Sequence, residues 1–146
     1  MRVEASLVIE RPKATVFRFV AREHVRNHPR WDPDIQLRAD SESPIGVGTI
    51  IRRRNSRSGR PVEGTMEVVE FEPDDSFGTV IREGTAQVLG RSTFEAVSPG
   101  RTRLTISADL PSMPAGEEPL GADSTRLAKL MERSVARIKE LIEAET

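Results

Sequence analysis

The chain has 146 residues, 36% of them hydrophobic and 31% charged, with a formal net charge of -1. That length suits a single domain, residues 1–146, able to bury a core without staples. The near-balanced charge argues against binding nucleic acid through bulk electrostatics, and the absence of cysteine excludes disulfides, thiol nucleophiles and thiolate-bound metals.

The first element is "VEASLVIE". Val3, Ala5, Leu7 and Ile9 fall on one face, with Glu4, Ser6 and Glu10 on the other. Strict alternation predicts a half-buried strand. The same stretch lacks the apolar centre of a secretory signal, and no apolar run reaches membrane-spanning length, so the expected location is cytoplasmic. "RPKATVFRFVAR" follows. Pro12 suits a first helical turn, and Val16, Phe17 and Val20 form a helical apolar stripe. "EHVRNHPRW" predicts a second short helix, stopped before Pro29 because the residue preceding proline avoids the α region.

From Ile35 to Leu110 the pattern is strands and turns. "IQLRAD" opens the series. "GTIIRRRNS" and "PVEGTMEVVEFE" flank a turn at Gly59; then come "SFGTVIRE", "TAQVLGRSTFEAV" and "RTRLTISADL". The links are too short for helical crossovers, which predicts an antiparallel meander. "PSMPAGEEPLGA", with three prolines and two glycines, reads as a long loop. In the last segment Leu127, Leu130, Met131, Val135, Ile138, Leu141 and Ile142 repeat at helical spacing. Asp123 or Ser124 can cap this helix.

The sum is an α+β chain: one strand, two short helices, six more antiparallel strands and one long helix to cover the apolar face. That order resembles the START-like, or SRPBCC, superfamily with its helix-grip fold. "VEASLVIERPKATVFRFVA" is similar to the family's opening strand and first helix, and "WDPDI" to its Trp-x-Pro corner. "VVEFEPDDSF" is similar to its Glu-aromatic-x-Pro turn, and "SPGRTRLTI" to the entry of its last strand. The polyketide cyclase/dehydrase-like branch is the most similar. The resemblance implies a cavity between a curved sheet of about seven strands and the C-terminal helix, where members bind apolar or amphipathic small molecules.

"NHPRWDP" holds the only tryptophan and one of two histidines. Trp31 either closes the edge of the core or touches a ligand. His24 and His28, spaced i, i+4, share a helix face. The intervening "VRN" lacks the glutamate of a zinc helix and no third ligand is evident, so no metal is expected. The pair is read as solvated histidines at a cavity rim, or as an acid/base. In "IIRRRNSRSGR" three consecutive arginines cannot all face one way. With Ile51 inward, Arg53 points to the concave face, where it requires an acceptor. Glu67 or Glu70 on the next strand is one choice, and a ligand carboxylate or phenolate another. Gly90 and Ser92 lie on the apolar face, where small residues either receive a large helix side chain or leave a void.

The leading expectation is therefore binding of a hydrophobic or amphipathic small molecule, with no cofactor. Trp31, Ile51, Arg53, Met66, Phe77, Phe94, Met113, Leu127 and Met131 are the expected ligand-binding residues, and Met113 sits in the loop read as a gate. The alternative is an aromatase/cyclase or dehydratase using His24, His28 and Arg53 in the same pocket. A third class is a co-chaperone-like interaction module. A monomer or homodimer is expected.

Overall fold

The computed structural model describes residues 1–110 and 123–145. Seven strands form one antiparallel sheet in the order β1-β7-β6-β5-β4-β3-β2. They are β1 (Arg2–Ile9), β2 (Ile35–Ala39), β3 (Ile50–Asn55), β4 (Val62–Glu72), β5 (Ser76–Glu83), β6 (Ala86–Ser98) and β7 (Arg101–Asp109). The predicted meander is present from β2 to β7, and β1 closes against β7, with Ala5 opposite Ile106 and Leu7 opposite Leu104.

Period-2 patterning explains the inner face. Val3, Ala5 and Ile9 of β1, Phe77, Thr79 and Ile81 of β5, and Leu104 and Ala108 of β7 are buried, while Arg2, Glu4 and Ser6 of β1, Arg82 of β5 and Arg103 and Asp109 of β7 are exposed beside them. Two bulges, between Val68 and Glu70 and between Ala96 and Ser98, turn Val69 and Val97 outward. An extra residue bends a strand and strengthens its twist, which curves the sheet around its cover.

That cover is α3 (Ser124–Ala144), capped by the Asp123 side chain, which accepts from the Arg126 N–H. Leu127, Val135, Ile138 and Ile142 are its buried stripe. Burying one such side chain contributes roughly 1.5–3 kcal/mol, and this repeat pins the helix to the sheet.

The segment after β1 departs from expectation. Pro12 is the N-cap of α1 (Lys13–Phe17). A π-helical turn, Arg18–Arg22, follows, and α2 (His24–Trp31) runs through Pro29 rather than stopping before it. Proline there removes one backbone bond. The helix carries on for only two further residues, and the Asp32 N–H still donates to the His28 carbonyl at 2.9 Å. The anchor is Asn27, fully buried, whose Nδ2 donates to the Phe19 carbonyl at 2.9 Å. α2 is thereby fixed against the π turn, with His24, His28 and Trp31 presented together. No helix among the described residues is long and apolar enough to cross a membrane.

Candidate functional site

A cavity of about 140 Å³ lies between the sheet and α3. Its sheet wall comprises Met66, Phe77, Thr79, Ile81, Gly90, Ser92, Ile106 and Ala108; α3 contributes Leu127, Leu130, Met131, Ser134 and Ile138. Val20, His24, His28, Trp31 and Asp32 close one end, with Arg53 and Arg57 beside them. Gly90 and Ser92 both line the cavity, and the nearest atoms over Gly90 belong to its sheet neighbours Thr79 and Ile81 rather than to a large side chain from the helix. A groove of about 580 Å³ runs alongside, between the end of α2 and α3, and shares Trp31, Asp32, Leu130 and Ser134 with the cavity. Trp31 is the partition between the two spaces.

Most of the sequence-predicted residues meet here: Trp31, Arg53, Met66, Phe77, Leu127 and Met131 all line the cavity. Ile51 and Phe94 do not. Both are buried in the core, and Phe94 packs edge-on against Phe17 with ring centroids 5.2 Å apart. For Phe94, facing the concave side is not enough to reach the void, because the first short helix packs over that part of β6. Met113 lies outside the described residues, as does the 111–122 stretch read as a gate.

His24 is not solvated: it is only 5% exposed, and His28 is half-buried. Their rings are 4.7 Å apart, and His28 stacks on Trp31 at 5.0 Å with 19° between planes. His24 Nδ1 is 2.7 Å from the Val20 carbonyl, and His28 Nδ1 is 3.0 Å from His24 Nε2. Burial pushes the His24 pKa down to about 4, aided by the Arg53 charge and opposed by the Val20 bond. Burial also holds His28 well below 6.5, with His24, Arg53 and Arg57 acting the same way. Both rings are therefore neutral near pH 7.

Arg53 faces inward as the alternation requires and is buried, but its acceptor is neither Glu67 nor Glu70. Its Nε donates to Glu83 Oε2 at 2.6 Å. Glu67 instead meets Arg82, and Glu70 meets Arg91. Asn55 Nδ2 donates to Glu83 Oε1 at 3.1 Å, the Arg57 N–H donates to Asn55 Oδ1 at 2.9 Å, and Arg57 pairs with Asp32 at 2.6 Å. This buried chain ties the end of α2 to β5. Burial raises the Asp32 carboxyl above its ordinary value although Arg57 and Arg53 pull it down, and burial likewise lowers Arg53 against the support of Glu83. Sequence reasoning missed Glu83, Asn55, Arg57 and Asp32 as partners. The inward parity of Glu83 was legible from Phe77 and Ile81; its distance from Arg53 was not.

Among the described residues, no group of three His, Asp or Glu side chains is placed to hold a metal. His24 Nε2 is already engaged by His28. What the site offers is a largely apolar pocket with His24, His28, Asp32, Arg53 and Arg57 gathered at one end.

A curved antiparallel sheet gripping a C-terminal helix around such a cavity defines the helix-grip class. The chain belongs to the polyketide cyclase/dehydrase and lipid transport family, whose sequence profile matches residues 1–143. No curated protein sequence matches it. Solved structures share the fold at low identity. A START superfamily protein from Mycobacterium smegmatis is 14% identical over 99% of each chain, at a TM-score of 0.76. The Zhui aromatase/cyclase from Streptomyces sp. R1128 is 17% identical over 98% of this chain and 93% of its own, at a TM-score of 0.70. Major latex-like protein 151 from Panax ginseng is 15% identical over 97% of this chain and 96% of its own, at 0.71.

Proposed function

We propose that the protein binds a mostly apolar, ring-bearing small molecule in the cavity between the sheet and α3. The observation that carries this reading is the cavity itself, apolar along Met66, Phe77, Ile81, Ile106, Leu127 and Met131, with its histidines and two of its arginines gathered at the α2 end. Its volume of about 140 Å³ is close to that of an engineered apolar cavity that takes up benzene. One ring fits inside, and a larger ligand would extend past Trp31 toward the outer groove. A long acyl chain fits that volume poorly, which favours rings over lipids. A vestigial interaction module would have packed the space.

The enzymatic alternative, a cyclase or dehydratase, has the support of the family and of the Zhui aromatase/cyclase likeness. The histidine pair speaks against it: any proton taken up there would leave a charged imidazole beside Arg53 and Arg57.

The test is native mass spectrometry of the purified protein, with a thermal-shift screen of aromatic polyketides, flavonoids and fatty acids. A ligand selective for the native state raises the melting temperature. Shifts with ring compounds and none with fatty acids are expected. No co-purifying ligand and no shift across the screen would overturn the reading.

A further inference from the structure

We infer that His28 Nε2 is a fixed hydrogen-bond acceptor that selects ligands carrying a ring hydroxyl, a phenol or enol, over their ethers. This rests on the small-molecule reading above and names the chemistry of the group held at the polar end.

The argument is one of proton placement. A peptide carbonyl only accepts, so the 2.7 Å contact from His24 Nδ1 to the Val20 carbonyl puts the His24 proton on Nδ1. A neutral His24 then has a bare Nε2. That atom accepts, so the 3.0 Å contact requires His28 Nδ1 to be the donor. A neutral His28 is left with a bare Nε2. Burial and the nearby arginines keep both rings neutral.

The polarity is thus set from the backbone outward: Val20 carbonyl, His24, His28, cavity. His28 lines the cavity. Its Nε2 makes no hydrogen bond among the described residues, and it is not among the buried polar atoms left without a partner, so it is open to an incoming group. Stacking on Trp31 fixes the ring plane, and hence the direction of the lone pair. A hydroxyl on a ring lying against Phe77 and Met131 would donate to it.

The same chain shows why His28 acts in recognition rather than as a shuttle. It ends on a carbonyl, which cannot take a proton onward. A proton accepted at Nε2 has no exit through His24.

The experiment uses the full chain and three probes: naphthalene, 2-naphthol and 2-methoxynaphthalene, titrated by calorimetry. A net hydrogen bond predicts that 2-naphthol binds roughly three- to tenfold more tightly than the ether. In His28→Phe, which keeps a ring on Trp31, that ratio should fall to about one. Nitrogen-15 NMR of the unliganded wild type, independent of any variant's folding, should find both histidines as the Nδ1–H tautomer. Equal binding of all three probes, or an Nε2–H tautomer at His28, overturns the inference while leaving the cavity reading in place. Failure of all three probes to bind overturns both.

Discussion

Arg53 and Glu83 pair at 2.6 Å although a whole strand lies between them. Arg53 sits on β3 and Glu83 on β5, and the β4 residue in register with both is Gly64. With no side chain at that point, the guanidinium reaches over β4 to the carboxylate. A Cβ on Gly64 would lie 2.2 Å from the Arg82 carbonyl oxygen and 2.9 Å from Glu83 Cγ. The glycine is therefore the saddle over which the bridge is built, and the bridge supports the polar wall of the cavity.

Breaking the bridge from one side leaves an unpaired buried charge. Arg53→Met should cost about 3–5 kcal/mol, the range for removing one partner of a buried pair. Pairing it with Glu83→Gln should recover a good part of that. Urea denaturation of the two variants is the check. Equal stability of Arg53→Met and wild type would show that water or another cation compensates Glu83.

Gly64→Ala should destabilise without touching any charge, because the nearest obstruction is backbone, which cannot swing aside as a side-chain end can. The expected loss is at least about 1–3 kcal/mol, the usual range for overpacking, read from the melting temperature. An unchanged value would mean β4 shifts freely and the bridge does not depend on the glycine.

These two residues also show what the sequence made legible. The inward direction of Arg53 followed from alternation along "IIRRRNS", since the nearest bulge comes later, between Val68 and Glu70. The cover helix, the meander and most of the cavity wall followed from periodicity in the same way. The partner of Arg53 did not, because a register across three strands is a tertiary fact and the adjacent strand offers a glycine. Pro29 inside α2 escaped for a similar reason: Asn27 secures the helix through a side-chain bond to Phe19 that no local propensity encodes. The burial of His24 is not legible in the sequence, since i, i+4 spacing tells which residues share a face, not what that face packs against.

Stability should fall with acid in a window set by His24. Its folded pKa is about 4 against 6.5 for the ordinary side chain, so between those values the unfolded chain binds the proton first. The contribution is complete above about pH 6.5 and is lost as pH falls toward 4, at roughly 1.4 kcal/mol per pH unit for one histidine. His28 adds in the same sense. Asp32 acts oppositely, because burial raises its carboxyl, but it is present in both proteins of the comparison. Urea midpoints at pH 7, 6 and 5 should decline more steeply for wild type than for His24→Gln. Parallel curves would mean that His24 takes its proton without opening the fold.

Filling the cavity should separate binding from folding. Ala108 is 7% exposed and lies on the β7 wall of the cavity, opposite Gly90 of β6, so its side chain borders the void. Ala108→Leu places apolar atoms into that space. Filling an existing void adds contacts without forcing neighbours apart, so the melting temperature of the unliganded protein should hold or rise. The thermal shift given by 2-naphthol should disappear. Trp31, the one tryptophan, partitions the cavity from the outer groove, and its fluorescence gives a second readout: titration with a non-fluorescent ring ligand should change wild-type emission and leave that of Ala108→Leu flat. Retained binding in the filled variant would put the ligand in the outer groove along Arg30, Pro33 and Arg137 instead.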